Sequence, residues 1–156
     1  KNNMYYEILT KLQTELNNDP LINTVSEGDI FSVDLSKQTI FPLCHIMVNS
    51  ATFVDNVIQY NISIMSMDIV DISKDETTDN FRGNDNEQDI LNTQISVLNR
   101  LYEKLRRGNL YDDNYQVEGS PNCEPFIDRF ENKLAGWTMT VNINTPNTMT
   151  VGDVWK

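Results

Sequence analysis

Any site chemistry in this chain has to be built from one histidine, His45, two cysteines, Cys44 and Cys123, and 23 acidic side chains. A nucleophile–base site would have to use His45, with Cys44 beside it as the nearest thiol. Both lie in an apolar run that reads as a strand, where neighbouring side chains point to opposite faces, so the pair does not converge on one substrate. The cysteines form no CxxC or CxxH pair and are too few for a disulfide framework. They read as reduced thiols in a reducing compartment, with no zinc site. Asp71, Asp75, Asp79 and Asp85 are the one cluster that invites a hard cation, which takes six to eight oxygens. Gly83-Asn84-Asp85-Asn86-Glu87 holds only a fragment of a calcium-loop spacing, so a solvated acidic loop leading into a helix is the better reading. Asp112-Asp113 and Glu124 with Asp128 are carboxylate pairs that nothing separates from surface acids. No GxSxG, HExxH, Walker glycine loop or GxGxxG occurs. The residues therefore name no catalytic site, no metal and no cofactor, and the expectation is a protein that is not an enzyme.

The elements that would position these groups are legible from periodicity. Met4, Ile8, Leu9, Leu12 and Leu16 recur at helical steps, and Asn17-Asn18-Asp19-Pro20 stops the helix they define. Leu21 to Val25 is a short apolar stretch running into a turn signal at Ser26-Glu27-Gly28-Asp29. Ile30 to Leu35 reads equally as a strand or a helical turn. Phe41 to Asn49 reads as a strand, and Val57 to Val70 as a longer one. In the latter Ile58, Tyr60, Ile62 and Ile64 form one face, and Gln59, Asn61 and Ser63 the other. That alternation predicts an antiparallel sheet with one dry and one wet face, while Met65 to Val70 loses the polar alternation and reads as covered by another part of the chain. A second helix opens near Asp85 to Asp89 and ends at Arg106-Arg107-Gly108, with an apolar stripe from Ile90 to Leu105 that should cross the sheet. A short strand is expected at Tyr115 to Glu118, an irregular segment at Glu124 to Phe130, and a last strand at Leu134 to Asn144, where Gly136 permits a bulge or a close approach.

The 156 residues predict one domain, long enough to bury roughly 70% of its extended-state surface without disulfides or metal. A net charge of -11 and a pI near 4.3 argue against binding nucleic-acid phosphates or anionic lipid as the main activity. No apolar run is long enough to span a bilayer, and the first residues lack the apolar core of a secretion signal. Arg100, Lys104, Arg106 and Arg107 hold a third of the 12 basic side chains at one helix end. The helix dipole accounts for their position, and contact with an acidic neighbouring subunit is the next reading. Asp75, Glu76 and Asp79 in the acidic loop are the matching candidates, and Val154 and Trp155 form an apolar end to the tail.

The stretch from Phe126 to Ile143, FIDRFENKLAGWTMTVNI, is similar to the ring-forming tail-terminator (tail-completion) and neck proteins of tailed bacteriophages. The opening helix ending in Asn-Asp-Pro, the strand-rich middle and the late amphipathic helix extend the likeness along the chain. The forms it most resembles occur in crAss-like and related phages of Bacteroidetes, and Leu134-Ala135-Gly136-Trp137 with its flanks carries most of the likeness. The resemblance implies an α+β fold: a mixed or antiparallel sheet with two main helices packed on one face, and a long acidic loop or hairpin. It implies a domain over residues 1–144 with a flexible acidic loop at 71–87, and a C-terminal extension at 145–156 that contacts a neighbouring subunit. It also implies a closed ring of identical subunits, twelvefold favoured over sixfold, between portal-side and tail proteins in the virion neck or tail. The ring would be assembled in the host bacterial cytoplasm. DNA would pass through its lumen without specific binding, with no membrane involved. A monomeric acidic adaptor and a small metal-dependent hydrolase are the competing classes, separated from the ring by oligomeric state and by metal-dependent stabilisation.

Overall fold

The computed structural model describes residues 4–29, 40–70, 87–129 and 134–147. The acidic loop at 71–86, including Asp75, Glu76 and Asp79, lies outside them, as do Ile30 to Leu35 and the tail with Val154 and Trp155.

Helix α1 (Met4–Asn17) presents Ile8, Leu12 and Leu16 at four-residue steps, all fully buried. It ends in Asn18 and Asp19, whose N–H groups return to Thr14 and Leu16, and Pro20 prevents continuation. β1 (Thr24–Glu27) follows, so Ser26 and Glu27 belong to a strand and the turn is confined to Gly28-Asp29. β2 (Leu43–Val54) and β3 (Val57–Ile69) form a long hairpin closed by Asp55-Asn56, with Asn56 in the left-handed region at φ 61°. α2 (Glu87–Arg107) carries acids in its first turn and bases in its last. A short helix, α3 (Asn109–Asp112), then buries Leu110. β4 (Gln116–Arg129) and β5 (Leu134–Pro146) complete the chain of elements.

The five strands form one mixed sheet in the order β1-β2-β3-β5-β4, with β1 parallel to β2 and every other pair antiparallel. This is an α+β fold with α1 and α2 on one face. That face is the main core. Cys44 and Ile46 of β2, Ile58, Tyr60, Ile62 and Ile64 of β3, and Met139, Val141 and Ile143 of β5 meet Ile8, Leu12 and Leu16 of α1 and Val97, Leu98, Leu101 and Leu105 of α2. Each such buried aliphatic side chain contributes roughly 1.5–3 kcal/mol, which is why the two stripes dictate where the helices lie. The Trp137 indole donates to the Leu91 carbonyl at 2.8 Å, fastening α2 over β5.

The opposite face is divided. Toward the start of β2, Phe41, Leu43, Met65, Met67, Phe126 and Leu134 form a second buried cluster, which explains why β3 loses its polar alternation after Ser63. Toward the hairpin turn the same face is wet. Asn49 Nδ2 donates to Asn61 Oδ1 (2.9 Å) and Ser63 Oγ (2.8 Å), and Asn61 Nδ2 donates to Asn142 Oδ1 (2.8 Å). Gln59 Nε2 donates to Asn144 Oδ1 (3.0 Å), and Asn144 Nδ2 to Glu118 Oε2 (2.8 Å). Amide rows thus bridge four strands.

Two expectations are corrected. The second strand runs five residues beyond Asn49, because Ser50 to Val54 pair with Val57 to Asn61 although nothing buries them. The short strand and irregular segment after Tyr115 are one strand, β4, interrupted by a register shift between Glu118 and Asn122 where Gly119-Ser120-Pro121 bulges. β4 is the outer strand, so Pro121 and Pro125 need donate nothing outward.

Candidate functional site

The single histidine lies where β1 meets β2. Its Nε2 is 2.7 Å from the Gly28 carbonyl and its Nδ1 2.7 Å from Ser26 Oγ. A carbonyl only accepts, so Nε2 carries the proton, Nδ1 accepts from the Ser26 hydroxyl, and the neutral ring is fully satisfied. A serine bonded to histidine has the form of a nucleophile–base pair. Here, however, His45 is fully buried, and its second nitrogen is oriented by a backbone carbonyl, not a carboxylate. The nearest trough, about 620 Å³ between α1 and β2, is walled by Tyr5, Tyr6, Leu9, Ile46 and Val48 together with Glu27 to Asp29, not by Ser26 or His45. The arrangement pins β1 to β2. Cys44 points to the other face, against Ser66 Oγ at 3.5 Å, and Ser66 in turn donates to Gln94. Burial pushes the Cys44 thiol up to about 12, which removes it as a nucleophile at neutral pH. Among the described residues no group of three or more His, Cys, Asp or Glu side chains is placed to hold a metal ion.

Burial lowers the His45 pKa, opposed by its bond to Gly28 and by the charges of Asp29 and Glu27. A folded-state value below the unfolded one means that the unfolded chain binds the proton more readily. The stability from neutral His45 is therefore complete above the unfolded value near 6.5 and is lost as pH falls below it. Urea unfolding at pH 7.5 and 5.5 should show a loss for the wild type that is smaller in His45→Gln. Equal losses would remove this role.

The basic side chains at the end of α2 divide into two pairs. Arg100 grips Asp19 with two bonds, Nε to Oδ2 at 2.7 Å and Nη2 to Oδ1 at 2.9 Å, and Lys104 reaches Glu15 at 2.9 Å. Both tie α2 to α1 and its C-terminal turn, so these two cations are engaged within the subunit. Arg106 and Arg107 are exposed. Arg107 meets Glu103 at 2.7 Å, while Arg106 lies 3.8 Å from it, too far for a hydrogen bond.

Two surface features remain that periodicity did not indicate. Among the described residues the outer edge of β2 is paired only by β1, at Leu43 to Ile46, and every residue from Asn49 to Asn56 is exposed, with Phe53 at 78% and Val54 at 55%. Asn49 to Val54 contains no charge and no proline, the devices that usually blunt an open strand edge. At the other side of the sheet the β4 bulge leaves a groove of about 430 Å³ beneath α2, lined by Ile95, Leu98, Tyr102, Pro121, Cys123 and Met139 among others. The signal for the first was Phe53-Val54 before Asp55-Asn56, an apolar pair followed by a two-residue hairpin turn. The groove had no linear signal, since its walls come from three elements.

No protein-family model and no curated protein matches this chain. No helix among the described residues is long and apolar enough to cross a membrane.

Proposed function

We propose that this chain is a structural virion protein: one subunit of a closed ring in the neck or tail-terminator region of a tailed bacteriophage. The ring would join portal-side components to the tail and leave a channel for DNA. The observation that carries this reading is the pair of unlike exposed surfaces, the uncharged edge and apolar tip of the β2–β3 hairpin on one side and the groove under α2 on the other. Unlike surfaces on one chain favour head-to-tail contacts, which close into rings when the rotation permits. A subunit of net charge -11 repels its copies, so a contact between them is best made through an uncharged strip such as Asn49 to Val54. The amide rows of the wet face carry no cation and so offer phosphates no counter-charge, as a lumen for sliding DNA requires. A twelvefold ring is favoured, sixfold being the alternative.

Cryo-electron microscopy of virions carrying this chain tests the proposal. The expected result is density for the fold as a closed ring between head and tail. Mature particles without it, together with a monomer in solution, would overturn the ring in favour of an acidic adaptor.

A further inference from the structure

We infer that the hairpin tip of one subunit docks into the α2–β4 groove of a second copy, Phe53 entering the groove and Asp55 meeting Arg106 at its end. The inference deepens the ring reading and rests on it for closure.

Three observations select the second copy as occupant. The tip presents Phe53, exposed on the helix-bearing face near the end of a hairpin, a projecting shape, with Val54 on the other face of the strand. The groove is the matching concavity, apolar at its floor through Leu98, Met139 and Cys123. Its rim on α2 is Asn92, Ser96 and Asn99, polar but uncharged, as a contact between two acidic subunits needs. The charges then match at one place. Asp55 is exposed beside Val54, and Arg106 is one turn beyond Tyr102 on the groove side of α2. Its carboxylate neighbour Glu103 is held more closely by Arg107. Among the described residues Arg106, at 3.8 Å from Glu103, is therefore the cation at that end of the groove best placed to meet a visitor. β2 and β4 lie toward opposite sides of the sheet order, so tip and groove cannot meet within one subunit, and each copy keeps one of each to offer. The other outer strand, β4, is a poor acceptor for simple edge pairing, because Pro121 and Pro125 remove donors and the bulge breaks its line. Docking by side chains into the groove avoids that obstacle.

Cys123 makes the contact testable with a single substitution. It lines the groove and is a free thiol, whereas Cys44 is fully buried. Purified Phe53→Cys chain, concentrated and treated with oxidised glutathione, should link residue 53 of one copy to Cys123 of the next. A non-reducing gel should show a ladder of dimers, trimers and higher species that collapses on reduction. Phe53→Cys with Cys123→Ser should lose the ladder. In otherwise unmodified chain, Asp55→Arg should weaken association measured by native mass spectrometry, and adding Arg106→Asp should restore it. Dimers without higher species would overturn the proposal in favour of a two-fold contact. Wild-type rings without any Cys123-dependent link would overturn the docking and leave the ring standing. Wild-type chain that stays monomeric and unlinked at every concentration would overturn both.

Discussion

Gly136→Ala is expected to destabilise the fold by about 3 kcal/mol, at the upper end of what inserting a methyl group into packed structure costs. The reason is local. Gly136 pairs with Met67 across β3 and β5, and a Cβ there would lie 2.1 Å from the Ser66 carbonyl oxygen and 2.8 Å from the Met67 Cα. Those atoms are backbone within a continuous 13-residue ladder, so no rotamer change relieves the clash. One strand must move, and Ser66, whose hydroxyl bonds to Gln94 of α2, moves with it. Denaturant unfolding should show a lower midpoint at an unchanged slope, and thermal unfolding a drop of about 6–12 °C for a chain of this size. Gly119→Ala is the comparison. Gly119 adopts φ 73° but has open space where a Cβ would go, so its cost comes from backbone conformation alone, about 1 kcal/mol. Equal effects at the two sites would mean that the close β3–β5 approach is absent.

The same glycine marks how far the sequence could be read. It was legible as a place for a bulge or a close approach in the run from Leu134 to Asn144, and the unbroken β3–β5 register leaves the close approach. α1, α2, β3 and β5 were legible for the same physical reason: each buries one face, and burial imposes a period. The distal half of β2 buries neither face, so Asn49 to Val54 has no alternation to read. β4 was obscured differently. Gly119-Ser120-Pro121 and Pro125 are turn and breaker signals in isolation, yet an outer strand tolerates both, and position in the sheet is a tertiary fact. That something covers Met65 to Val70 was legible, and so was a buried Phe126, but not that they share a second cluster on the far face with Phe41 and Leu43, since that depends on which strands pair. The candidate site divides along the same line. The basic run at the end of α2 was visible, whereas the engagement of Arg100 and Lys104 by Asp19 and Glu15 depends on how α1 lies against α2.

Arg100→Met is expected to cost about 2 kcal/mol at pH 7, and the cost should vanish in acid. Asp19 is 6% exposed, and without Arg100 its carboxylate keeps the Leu21 N–H at 3.0 Å as its close bond. Breaking a fully buried pair costs roughly 3–5 kcal/mol. The Arg100 side chain is 42% exposed, so solvent screening reduces the figure here. In the intact protein burial pushes the Asp19 pKa up, but the Arg100 bonds and the Leu21 N–H together pull it further down, and the net shift is downward. A folded value below the unfolded one contributes stability that is present above the unfolded pKa near 3.8 and lost as pH falls through the folded value. Arg100→Met removes the larger part of the downward pull and leaves the burial and the Leu21 N–H. Its Asp19 is then protonated at a higher pH, and the difference between the two proteins should shrink steadily as both become neutral at that position. Asp19→Asn in the Arg100→Met background should recover part of the loss at pH 7, since the amide oxygen still accepts from Leu21 without a buried charge. Unfolding free energies of the three proteins at pH 7 and pH 3 decide the matter. A penalty for Arg100→Met that is the same at both would show that the arginine acts through packing of its aliphatic stem and not through Asp19.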